Sequence, residues 1–118
     1  MDQRELKLRT KRFGLRVMKM VAALPHDSVG KAIGSQLIRS GTAVGANYRA
    51  ACRGRSKAEF IAKLGIVIEE ADESGYWMEL IIEGELLTAE RVESLLDEAN
   101  QLTAIMVATR KSAQEGRD

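Results

Sequence analysis

From about residue 3 to residue 111 of 118, apolar side chains recur at three- and four-residue steps, and only three short breaks interrupt the pattern. That is the period of an α-helix with one buried stripe, and each such stripe has to be covered by a neighbouring element. Leu6, Thr10, Phe13, Val17, Met20, Val21 and Leu24 predict a first helix over 3–24. Pro25 ends it, because a residue before proline is pushed out of helical angles. Asp27 or Ser28 can cap a second helix over 28–53, whose stripe runs Ile33, Leu37, Val44, Asn47, Ala51 before Gly54. Ser56-Lys57-Ala58-Glu59 has the form of a capping box opening a third helix over 57–83. After Gly84 and Thr88, the residues Val92, Leu95, Leu96, Ala99, Leu102, Ile105 and Met106 define a fourth over 89–111, with a frayed polar tail at 112–118.

Four helices of similar length joined by short loops predict an all-α, up-down-up-down antiparallel four-helix bundle, with 1–118 forming a single domain. Composition agrees: the chain has one proline and only 4% aromatic residues, so its core is aliphatic. The third helix carries one stripe of Phe60, Leu64, Val67, Ala71, Ser74, Met78 and Ile81, and a second of Ile61, Ile68, Gly75 and Ile82. Such a helix is either central or covered by another subunit, and in so small a chain a second subunit is the more economical expectation. The longest charge-free apolar stretch, 64–68, is far below the roughly 20 residues a membrane span needs. One cysteine cannot form an internal disulfide, and the polar start at Asp2 does not resemble a secretory signal, so a cytoplasmic location without membrane partners is expected.

Charge is divided along the chain. Residues 1–63 hold fourteen Lys or Arg against four carboxylates, whereas 64–118 hold four against thirteen, although the whole chain is only +1. Arg49 and Arg53 lie one turn apart, Arg55 and Lys57 follow in the tight turn, and Lys7, Lys11, Arg12, Arg16 and Lys19 line the first helix. Such a surface either pairs with the acidic third and fourth helices of the same or an adjacent subunit, or remains open to the phosphates of RNA or DNA. With few aromatic residues for base stacking, binding of the second kind would depend on salt more than on base sequence.

Gly41 and Gly45 each cost a helix on the order of 1 kcal/mol, so close approach of a neighbouring backbone or of Trp77 is expected there, or else a groove that exposes backbone. Asn47, on a buried stripe, needs a hydrogen-bond partner. Trp77 and Tyr76 are the expected core or interface anchors. Glu69, Glu70 and Glu73 at helical spacing could hold Mg²⁺ and resemble half of an all-α nucleoside triphosphate pyrophosphatase motif, with Glu90, Glu93 and the out-of-step Asp97 as an incomplete second half. His26 is the only histidine, which excludes a di-iron centre built on two Glu-x-x-His pairs, and it is expected in an exposed loop. Cys52 lacks a histidine partner and reads as a buried, inert thiol. Without a Ser-His-Asp set or a glycine-rich phosphate loop, neither catalysis nor a cofactor is expected.

The runs Gln36-Leu37-Ile38-Arg39-Ser40-Gly41-Thr42-Ala43-Val44-Gly45-Ala46-Asn47-Tyr48-Arg49, Ser56-Lys57-Ala58-Glu59-Phe60-Ile61-Ala62-Lys63-Leu64 and Glu70-Ala71-Asp72-Glu73-Ser74-Gly75-Tyr76-Trp77 resemble the four-helix-bundle family first named for proteins encoded in intervening sequences of bacterial large-subunit ribosomal RNA genes. The resemblance spans about 6–108. It implies a bundle that assembles as a homopentameric barrel, with Arg39, Asn47, Ser56, Glu70, Glu73 and Trp77 as structural motif positions. It also implies kinship with the accessory variability protein of diversity-generating retroelements, which binds nucleic acid and a reverse transcriptase. Where many members have Asn-Tyr-Arg-Glu-Ala, this chain has Asn47-Tyr48-Arg49-Ala50-Ala51. The missing carboxylate leaves Arg39 or Arg53 either free for an external anion or satisfied by Glu70 or Glu73. A purely protein-binding adaptor, docking through the second stripe of the third helix, is the remaining alternative.

Overall fold

The computed structural model describes residues 1–116, in which α1 (Gln3–Ala22), α2 (Ser28–Cys52), α3 (Lys57–Glu83) and α4 (Ala89–Gln114) run up, down, up and down. Each helix packs on its neighbours in sequence, and α1 meets α4 along a thinner seam, giving a rod 47 Å long and about 20 Å across. Three helices start on side-chain caps. Asp2 accepts from the Glu5 N–H and Asp27 from the Gly30 N–H, both at 2.8 Å, and Ser56 accepts from the Glu59 N–H at 3.1 Å. Glu59 does reach back, but to the Arg55 N–H one residue before the cap. Gly30 has no alternative, since a Cβ there would lie 1.9 Å from the Pro25 carbonyl oxygen.

The core is continuous from Leu6, Phe13 and Val17 through Leu37, Val44, Leu64, Val67, Met78 and Ile81 to Val92, Leu102 and Met106. Its buried hydroxyls are bonded: Ser40 and Ser74 lie 3.0 Å apart between α2 and α3, and each also reaches a carbonyl of its own helix. Thr10 donates to the Leu6 carbonyl at 2.8 Å.

The structure settles which alternative holds at several positions. The second stripe of α3 is partly covered within the chain: α3 lies between α2 and α4, so the half-buried Ile68 and Ile82 pack on the core and Gly75 faces Leu96 and Asn100 of α4, while Ile61 stays half-buried outside the core. The small residues of α2 admit α1 rather than Trp77. A Cβ on Gly41 would lie 2.7 Å from Val17, and one on Gly45 would lie 3.3 Å from the Thr10 backbone. Asn47 is half-buried, and its amide donates to the Ala43 carbonyl at 2.9 Å, so it satisfies itself within its own helix. Residues 112–114 are helical because Ala113 is buried against the bundle; 117–118 lie outside the described residues.

Candidate nucleic-acid interface

Antiparallel alternation brings the N-termini of α1 and α3 and the C-termini of α2 and α4 to one end of the rod. Cutting every helix at its middle puts twelve Lys or Arg and five carboxylates at this end among the described residues, and five Lys or Arg with eleven carboxylates at the other. The division seen along the chain therefore becomes a division along the long axis, net +7 against −6.

Close packing of α1 on α2 at Gly14 and Gly45 leaves a shallow groove of about 250 Å³, with Lys7, Lys11 and Arg49 on its walls and Leu15 and Met18 beside them. Arg53, Arg55 and Lys57 continue the cationic surface around the α2–α3 turn, and all six side chains are exposed. Among the described residues none of them has a carboxylate within 4.0 Å. Arg12 stands apart: it lies one turn before Arg16, whose guanidinium donates to Ser94 of α4 at 2.9 Å, and it does not line the groove. Lys63, Arg110 and Lys111 reach the same end from α3 and α4 and were missed in the sequence, because only the topology places them there.

Two arginines are neutralised instead. Arg9 forms a forked pair with Glu98, both contacts at 2.8 Å, across the α1–α4 seam. Arg39 lies against Glu70 at 3.4 Å and closer still to Glu73, whose carboxylate also accepts from the Trp77 indole N–H at 3.0 Å. The indole bond first, and Arg39 second, hold the Glu73 carboxyl below the usual range; the Glu73 bond in turn raises Arg39. Of the two arginines that the Ala50 departure left open, Arg39 is thus satisfied from α3, whereas Arg53 keeps no acidic partner among the described residues. The same pairing spends the carboxylates of the pyrophosphatase-like motif. Glu70 and Glu73 face α2, Glu69 is exposed, and among the described residues no three His, Cys, Asp or Glu gather to share a metal ion.

Beside the turn, an open cleft of about 680 Å³ is bounded by all four helices, with Lys57 at its rim. Cys52 is half-buried on its wall rather than fully buried as expected, because the helix end leaves that side uncovered. Burial pushes the neighbouring Tyr48 hydroxyl above its ordinary range, with the Cys52 thiol adding to the effect. His26 is exposed in its loop. No helix among the described residues is long and apolar enough to cross a membrane.

An antiparallel four-helix bundle with one cationic end is the class that fold and surface define. Residues 4–108 match the model of the 23S rRNA-intervening sequence protein family, and the chain belongs to that family. It is similar, at 33% identity and a TM-score of 0.84, to a protein of unknown function from the S23 ribosomal protein family of Bacteroides thetaiotaomicron VPI-5482, over 90% of this chain and 98% of that one. No curated protein matches it.

Proposed function

We propose that this protein is a non-enzymatic binding or scaffolding subunit that holds the phosphate backbone of RNA or DNA on its cationic end, within a homo-oligomer, a pentamer by family resemblance. The observation that carries the reading is the contrast between Arg9 and Arg39, which are paired with carboxylates, and Lys7, Lys11, Arg49, Arg53, Arg55 and Lys57, which have none within reach among the described residues. Unpaired cations grouped at one end of a rod focus a positive potential, and a ring of subunits would repeat it. Exposed Leu8, Leu15, Met18 and Ile38 on α1 and α2, with Ile66 and Tyr76 on α3, offer apolar surface for assembly. The adaptor alternative has a reduced surface, since Ile68 and Ile82 of the second stripe of α3 pack on the core and Gly75 faces α4.

Gel-shift titration of the protein against RNA and DNA across a salt series tests this reading. Binding that weakens steeply with salt, and that disappears when Arg49, Arg53 and Lys57 are replaced by Glu, is the expected result; no binding even at low salt would remove it.

A further inference from the structure

We infer that the cleft beside the cationic turn receives an unpaired nucleotide, so that this end of the protein prefers single-stranded to double-stranded nucleic acid. The inference rests on the proposed nucleic-acid reading and names the form of the partner. The cleft of about 680 Å³ lies within the size range of small-molecule sites, about 300–1,000 Å³, and opens at the cationic end of the rod, with Lys57 and the Asp2 carboxylate both in its lining. Phe60, one of only five aromatic residues in the chain, is half-buried in its wall, and the buried Tyr48 ring lies behind that wall. Thr109 and Ser112 add hydroxyls that can donate or accept, and Lys57 at the rim is placed for the phosphate attached to an inserted base.

A strand that lays its phosphates along Arg53, Arg55 and Lys57 has a base to turn into this opening. A duplex meets the same cations with its phosphates alone, because its bases are stacked and paired, and extruding one costs free energy. Stacking on Phe60 would tolerate any base.

The test compares a short fluorescent oligothymidylate, free and annealed to oligoadenylate, by anisotropy at one salt concentration. The single strand should bind at least about fivefold more tightly, and Phe60→Leu should remove most of that preference while leaving duplex affinity unchanged. Cys52 supplies a second readout in the unmodified protein: bound single strand should slow its alkylation by a small maleimide, and bound duplex should not. Equal affinities for the two forms, or equal protection of Cys52 by both, would overturn the inference and leave phosphate binding intact. Failure of both forms to bind would sink the nucleic-acid reading itself.

Discussion

Arg39 and Arg53 show how a partner decides what a residue can do. Glu70 and Glu73 of α3 capture Arg39 of α2, whereas Arg53, capping the end of α2, has no carboxylate within 4.0 Å among the described residues. Because the folded Glu73 carboxyl sits below its ordinary value of 4.5, its contribution to stability is present above that pH and is lost as pH falls through the depressed value. Glu73→Gln should therefore be less stable than the parent at neutral pH and indistinguishable from it in strong acid, as read by urea melts at both ends of the range. Tyr48 behaves in the opposite sense. Its hydroxyl is raised above its ordinary value of 10, so the stability it lends holds below that pH and fades as pH climbs beyond it. Tyr48→Phe should flatten the alkaline limb of a stability–pH curve.

Among the elements, the turns carry the clearest tests. Glu85 sits at a φ of 58° just past α3, and the Leu86 N–H bonds back to the Ile81 carbonyl at 2.9 Å, the arrangement in which a helix end usually places glycine. Glu85→Gly should gain about 0.5–1 kcal/mol and raise Tm by a few degrees in calorimetry. Asp27→Ala should lose about 1 kcal/mol with the cap of α2. Gly30→Ala should lose more, about 3 kcal/mol, because backbone rather than a movable side chain blocks the added methyl. The helices themselves were legible in the sequence, since a 3.6-residue stripe and an Asp or Ser cap are local properties. What covers each stripe was not, because that depends on which helices become neighbours. Gly41 and Gly45 announced a close approach without disclosing that the approaching helix is α1, and Gly75 of the second stripe of α3 could be placed against α4 only once the helices were placed. The cations of α1 and α2 could be read directly, but Lys63, Arg110 and Lys111 join them only through the alternating direction of the chain.

For the whole molecule, the separation of charge along the axis sets the expectations. If six cations contact phosphates, a plot of log affinity against log salt should have a slope of about −4 for a single strand, and neutralising one of them, Arg53→Gln, should reduce it by about 0.7. Light scattering checks the assembly: a pentamer should weigh five times the 13.0 kDa chain. The opposed ends have one more consequence. A rod 47 Å long with cations at one tip and carboxylates at the other is an electric dipole, so the field of any polyanion exerts a torque on it before contact. Collisions are then biased toward the positive tip, and added electrolyte slows capture by weakening that rotation as well as the final grip.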